Sequence, residues 1–257
     1  MSVSAPAVVR DSSLVMVREL RPTVRDPFTV IFSLIQPLIL LALFGPLLDG
    51  VPGADTAGNV WNWFIPGVLA MIAIFGTSMT GSNLLAEMQQ GSHERMLVTP
   101  LSRSALLIGR ALKEMVPLAA QAVVILLIGL PLGFGIDLAG AAIGILILGL
   151  FGIGLGALSY TLALTVRNQD WMFWTVQQTL MFPMLILSGT MLPLDNAPRW
   201  MRLLVDVNPL AYVVTAERSL FAGHLTDGSV GKGAFAALVV AVVGIVVGVR
   251  KVGAGVR

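Results

Sequence analysis

Six stretches of this chain contain no Asp, Glu, Lys, Arg or His: Phe28 to Leu48, Val60 to Asn83, Met115 to Phe134, Leu138 to Val166, Trp171 to Leu192, and Gly233 to Val249. A helix needs about 20 apolar residues to cross ~30 Å of hydrocarbon, and each run is close to that length. Only 12% of the 257 residues are charged and 56% are hydrophobic, against roughly 25% charged in a soluble domain. The expected fold class is therefore an all-α integral membrane protein with six transmembrane helices, at 28–48, 60–83, 115–134, 138–166, 171–192 and 233–249. Together they form a single domain over 1–257.

The segments between the runs are less uniform. In 1–27, Val9, Ser13, Met16, Val17 and Leu20 share one side of a helical wheel while Arg10, Arg18 and Arg21 lie on the other. This suits a helix on a membrane surface that ends at Pro22; a polar lead-in without a helix is the other reading. The charges at Arg10, Asp11, Arg18, Glu19, Arg21, Arg25 and Asp26 do not fit the short basic region of a cleavable signal peptide, so the segment is expected to stay. Asp49 to Asn59 reads as a loop, and Trp61 and Trp63 open the second span at interfacial depth. Gln36-Pro37 lies near the middle of the first span, where proline removes a backbone donor.

Small residues mark two places where helices can meet closely. Gly140 with Gly144, and Gly152 with Gly156, are four apart and share faces of the fourth span. Gly76, Thr77, Ser78, Thr80, Gly81 and Ser82 at the end of the second span serve either packing or a path. The 193–232 segment is too charged to span. It holds two helical patterns, Trp200–Val207 and Ala211–Phe221, punctuated by Pro198 and Asn208-Pro209.

Counting basic residues orients the chain. With the N-terminus in the cytoplasm, 12 of 16 Lys and Arg lie inside; only Arg199, Arg202, Arg218 and Lys232 fall outside. Both termini and the 84–114 region are then cytoplasmic. The net charge of +2 gives no footprint for nucleic acid, and the absence of cysteine excludes a disulfide framework and thiolate metal sites.

Catalytic patterns are missing. Gly228-Ser-Val-Gly231-Lys232-Gly233 has neither the spacing nor the hydroxyl residue of a phosphate-binding loop, so this chain is not expected to hydrolyse ATP alone. None of the six runs carries the ionisable group that a proton relay requires. No hydrolase elbow or H-E-x-x-H pair occurs, and the carboxylates of the last external segment are expected to pair with Arg199, Arg202 or Arg218. Thr80, Gln177, Gln178 and Met181 are the candidates for a translocation path, with hydrogen bonding between helices as the competing role. A six-span protein with no energy source of its own calls for a cytoplasmic partner. The polar stretch Glu87 to Lys113 suits that contact: Gly91 can stop the second helix, Ser92 can cap a short new one, and Thr99-Pro100 can end it.

The string EMQQGSHERMLVTPLSRSALLIGRALKE resembles the cytoplasmic segment of type-2 ABC exporter permeases, in particular the daunorubicin-resistance-like drug exporters. LSGTMLPLDNAPRWMRLLVDVNPLAYVVTAERSLFAG, Leu187 to Gly223, resembles the same family's segment before the last span. The resemblance implies a permease that pairs with a second copy or a related permease and with two separate ATP-binding subunits, which carry the ATP and Mg; no cofactor is expected on this chain. It implies ATPase coupling through Glu94, Arg95, Thr99, Pro100, Leu101 and Arg103. It also implies an interfacial helix before Pro22, and re-entrant helices over 193–232 with Pro193, Pro198, Asn208 and Pro209 at an extracellular gate. The expected cargo is hydrophobic or amphipathic, drug- or lipid-like, exported across a bacterial cytoplasmic membrane. Export of a lipid-linked glycan or glycolipid is the alternative; a proton-coupled multidrug carrier and a non-transporting scaffold are further ones.

Overall fold

In a computed structural model, residues 5–25, 27–48, 59–92, 103–166, 169–194 and 197–254 are described. Among them the regular structure is helical: α1 (Ala5–Arg25), α2 (Pro27–Leu48), α3 (Val60–Gln89), α4 (Arg103–Lys113), α5 (Met115–Gly129), α6 (Leu138–Val166), α7 (Asp170–Ile186), α8 (Arg199–Val207), α9 (Pro209–Phe221) and α10 (Gly228–Ala254). A 3₁₀ turn at Leu130–Leu132 closes α5, and Gly133 (φ +84°) supplies the left-handed residue that ends it.

Four described stretches are both long and apolar enough to cross a membrane: Val60–Gln89, Ser104–Leu132, Leu138–Val166 and Gly228–Gly253. The expected first span, 28–48, falls within α2, which has 22 residues. The expected fifth span is shorter: α7 has 17 residues, ending at Ile186 rather than Leu192. Residues 187–192 leave the helix because Gly189 adopts φ +72° and the Ser188 and Thr190 hydroxyls both donate to the Leu185 carbonyl. Two other boundaries also move. The N-terminal helix does not stop at Pro22 but runs to Arg25, since proline there removes only the bond to the Arg18 carbonyl. The last helix extends beyond 233–249 at both ends, over Gly228–Ala254.

α6 is the centre of the bundle, packed chiefly against α3 and α10, with α9 at one end and α4 at the other. Its glycines explain why. A Cβ on Gly154 would lie 2.5 Å from the Val240 carbonyl of α10, and one on Gly152 would lie 2.9 Å from the Thr77 methyl of α3. Gly140 and Gly144 admit α9 in the same way, through Leu220 and Glu217. The two small-residue faces read from the sequence thus receive different partners, because dispersion between closely apposed backbones takes the place of the hydrophobic effect in lipid. The core runs along α3, where Phe64, Ile65, Val68, Leu69, Ala73 and Ile74 are fully buried.

Candidate functional site

The two ends of α3 mark the two functional regions: Glu87 at one end lies beside α4, and Trp63 at the other lies beside α9.

At the α4 end, α3 stops at Gln89 and Gly91 follows at φ +67°, with Gly91 N–H donating to the Met88 carbonyl at 3.1 Å. Ser92 Oγ donates back to the Glu87 carbonyl at 3.2 Å. The short helix expected after Ser92, and with it Glu94, Arg95, Thr99, Pro100 and Leu101, lies outside the described residues. Arg103 begins α4.

α1 lies along α4, admitted by Gly109, whose Cβ position would fall 2.6 Å from the Ser12 carbonyl. Between α1, α3 and α4 sits Arg110, its side chain only 4% exposed. It forms ion pairs with Glu19 of α1, at 3.5 Å, and with Glu87 of α3. Its guanidinium carbon is 5.6 Å from the centre of the Tyr160 ring of α6. One planar cation thus ties together four helices, a task for which the fork of donors and the flat face of arginine are suited.

A second buried pair follows directly. Lys113 Nζ is 3.5 Å from Glu114 Oε1, and Thr80 Oγ1 donates to the same oxygen at 3.1 Å. Glu114 is the single residue between α4 and α5. It lines a cavity of about 460 Å³ together with Lys113, Asn83, Met79 and Gly76. A smaller cavity of about 140 Å³ continues it between α2, α3 and α5, and shares Ser33, Ile72, Gly76, Met79 and Gln121.

The four candidate path residues are placed as follows. Thr80 holds Glu114. Gln177 is buried in a polar seam between α3, α6 and α7: Ser159 Oγ donates to Gln177 Oε1 at 3.0 Å and to the Ser78 carbonyl at 2.9 Å, and Gly81 N–H donates to Ser159 Oγ at 3.2 Å. Met181 Sδ accepts from Ser78 Oγ at 2.9 Å. Gln178 Oε1 is buried without a hydrogen bond among the described residues. None of the four lines the two cavities beside α3.

At the α9 end, Pro198 precedes α8 and Pro209 is its counterpart in the first turn of α9, where a missing N–H costs nothing. Asn208 joins three segments: Oδ1 accepts the Leu210 N–H at 3.1 Å, and Nδ2 donates to the Met184 carbonyl of α7 at 2.7 Å. Pro193 lies half-buried in the turn region after α7. α8 exposes Trp200, Leu203 and Val207 and buries none of its residues.

Of the carboxylates expected to pair with Arg199, Arg202 or Arg218, Asp195 lies outside the described residues. Arg202 Nε donates to the Ala197 carbonyl, and Arg218 donates to the Trp63 and Gly189 carbonyls at 3.1 and 2.7 Å while stacking 4.2 Å above the Trp63 ring. Trp63 is buried under that guanidinium. Glu217, next to Arg218 in sequence, points the opposite way, to Gly144; it is fully buried, and neither carboxyl oxygen accepts a hydrogen bond among the described residues. Burial pushes its carboxyl up to about 8. Farther out, Asp227 is held below the usual carboxylate range by the hydroxyl of Ser219 and by the backbone and hydroxyl of Ser229.

Motif and spacing give no functional role to Arg110, Glu114, Glu217 or Arg218. For Arg110 and Glu114 the signal that could have found them is position, since both are charged and lie just before a long apolar run.

The sequence model of the ABC-2 type transporter family matches residues 12–222, from within α1 past the end of α9. A putative transport permease ycf38 of Cyanophora paradoxa is 30% identical over 201 residues, covering 77% of this chain and 69% of its own. The daunorubicin resistance ABC transporter permease protein DrrB1 of Streptomyces coeruleorubidus is 27% identical, covering 77% of this chain and 70% of its own. The probable multidrug ABC transporter permease YbhR of Escherichia coli K12 is 30% identical over 187 residues, 68% of this chain and 50% of its own.

Proposed function

Since the chain belongs to the ABC-2 type transporter family, we propose that it is the membrane permease of an ATP-driven exporter. Hydrophobic or amphipathic compounds would leave the cell through it, with ATP bound and hydrolysed by two separate subunits. The family match over residues 12–222 carries this reading, because it covers the stretches at both ends of α3 and every apolar helix before α10. Relatives named for daunorubicin resistance and for multidrug transport support a drug-like cargo.

In this reading six segments cross the bilayer, with α2 and the shorter α7 completing the four longer helices. α1 lies at the cytoplasmic interface, and α8 and α9 form the outer, re-entrant segment with Pro193, Pro198, Asn208 and Pro209. Two permease chains assemble, with residues 94–103 against the ATPases and the cargo route between them.

The Arg110 ion pairs support transmission of force. A push on the segment between α3 and α4 meets α1, α3, α4 and α6 already joined at one guanidinium, so it displaces them together rather than bending one of them. Glycolipid export uses the same chain architecture and is distinguished only by cargo.

The test is transport by vesicles holding the permease with its ATPase subunits. ATP-dependent movement of amphipathic dyes is expected, and Glu94→Ala with Arg95→Ala is expected to lower both export and ATPase association while membrane insertion is unchanged. Full transport by that double variant would remove the coupling assignment. Transport that ignores ATP but collapses with the proton gradient would remove the exporter reading itself.

A further inference from the structure

α9 is held by two kinds of contact. Arg218 donates to the Trp63 and Gly189 carbonyls, and Asn208 donates to the Met184 carbonyl. Toward α6 and α10 it lies directly on glycines: a Cβ on Gly140 would overlap the Leu220 carbonyl, and one on Gly233 would overlap the Ala216 methyl. Glu217 belongs to this second kind. A Cβ on Gly144 would overlap its Oε2, so the missing side chain of that glycine is what makes room for the carboxyl.

The seated carboxyl fastens nothing. It is fully buried, and neither oxygen accepts a hydrogen bond among the described residues. A charge there would have neither water nor a partner, so the acid stays in place with its proton on. An amide of the same shape would fill the seat equally well; what an acid adds is the need to leave it once ionised. Gly144 lies seven residues beyond Asp137 along α6, about 10 Å at ~1.5 Å per residue. The seat is thus dry, yet close to the exposed start of α6 at Leu138.

The titratable and charged groups on the surrounding elements are engaged elsewhere or distant. Asp137, just before α6, accepts the Gly140 N–H. Tyr160 of α6 and Glu87 of α3 lie at the α4 end, beside Arg110. On α10, Lys232 is exposed, and Arg250 and Lys251 are near the far end of the helix. On α9 itself Tyr212 donates to the Asp206 carbonyl, and His224 and Asp227 follow in an exposed turn. Among the described residues none of them makes a hydrogen bond or ion pair with Glu217.

We propose that Glu217 is a proton-dependent release for α9: protonated, it lets α9 lie on Gly140 and Gly144; on losing its proton to external water, it leaves the seat and α9 swings away from α6. Arg218 and Asn208 keep the other side tethered, so the helix swings rather than detaches. The proton returns from the same water when the acid reseats, and none crosses the membrane. The inference rests on the exporter reading for α9 being on the outer face; the response of α9 to pH does not need transport. The released acid ionises in the ordinary carboxylate range and the seated one only near about 8. Between those values each rise in pH favours release, and above them the response levels off.

The chain has no cysteine, so a single introduced one reports alone. Val213→Cys, at a fully buried position one turn before Glu217, is labelled from outside with a membrane-impermeant methanethiosulfonate in proteoliposomes of the full chain with its ATPase subunits. Its rate is divided by that of Thr226→Cys in the exposed turn, which removes the thiol's own pH dependence. The ratio is expected to rise from pH 5 to pH 8, by up to about tenfold per unit. In Glu217→Gln, which keeps the shape and cannot ionise, it is expected to stay low and flat. In Gly144→Ala, whose methyl takes the seat, it is expected to be high and flat. A merely structural role would leave both profiles parallel to that of the native chain.

A native ratio that does not change with pH would overturn the proposal, as would a Glu217→Gln profile that still rises. Labelling that responds only to reagent on the cytoplasmic side would overturn it as well, by placing α9 on the other face. A pH-dependent ratio in vesicles that show no ATP-driven transport would defeat the exporter reading and leave the release standing.

Discussion

Glu87 and Glu217 are carboxylates near opposite ends of one helical bundle, and their surroundings differ in kind. Glu87 meets Arg110, which also pairs with Glu19. Glu217 lies beside a glycine of α6 with no hydrogen bond among the described residues, while the neighbouring Arg218 is committed to two carbonyls and an indole ring. The α4 end therefore holds its charges by mutual compensation, and the α9 end holds its acid by keeping it neutral. A compensated cluster is rigid, because moving any one member exposes another. A neutral acid imposes no such constraint, so α9 is held by glycine contacts and by Arg218 and Asn208 instead.

That contrast can be broken most sharply at Arg110. Replacement by Met leaves Glu19 and Glu87 without their buried cation and is expected to cost about 3–5 kcal/mol, read as a large drop in the thermal midpoint of the detergent-solubilised protein. Restoring part of the loss with Glu87→Gln in the same chain would confirm that the penalty comes from orphaned charge rather than from lost packing.

The same operation at the α9 end should act in the opposite sense. Glu217→Met removes a buried group without partners and is expected to be neutral or to stabilise by about 1–3 kcal/mol. The pH dependence follows from the raised value. Between the ordinary carboxylate range near 4.5 and about 8, the unfolded chain releases this proton and the folded one keeps it. Stability from this group is therefore present at low pH and declines as pH rises through that window, beyond which it levels off. Among the described residues, none of the charged groups on the elements around it, including Arg218 on α9, Asp137 just before α6, and Lys232, Arg250 and Lys251 on α10, makes an ion pair with Glu217. Thermal midpoints from pH 5 to 8 should fall more for the native chain than for Glu217→Gln, and parallel curves would contradict the neutral-acid assignment.

The smallest expected effect is at Asn208. Asn208→Ala loses the cap of α9 and the link to Met184, for about 1–2 kcal/mol. It should raise hydrogen exchange in residues 208–211 while leaving α4 unchanged, since no described contact joins the two regions through Asn208.

Much of this architecture is legible in the residue order alone. Uncharged runs can be counted, and the all-helical fold follows because a backbone in hydrocarbon must satisfy its own polar groups. The fourth-span glycine pairs and the stop at Gly91 are legible for the same reason: glycine spacing and a left-handed turn are local properties. The shortened α7 is not, because it ends through the Ser188 and Thr190 hydroxyls bonding back to Leu185 in a stretch whose composition still looks like membrane helix. Nor is the packing of Trp63: Arg218, 155 positions away in sequence, stacks on it and buries it.

The sequence by itself determined that this chain is a helical membrane protein with polar connections at defined places, since hydropathy and helix length are set residue by residue. Only the tertiary structure decided which charges are paired, which acid is left neutral, and that Gly76 and Glu114 line the same cavity. Those are properties of neighbours brought together from distant parts of the chain, and no local pattern encodes which neighbour arrives.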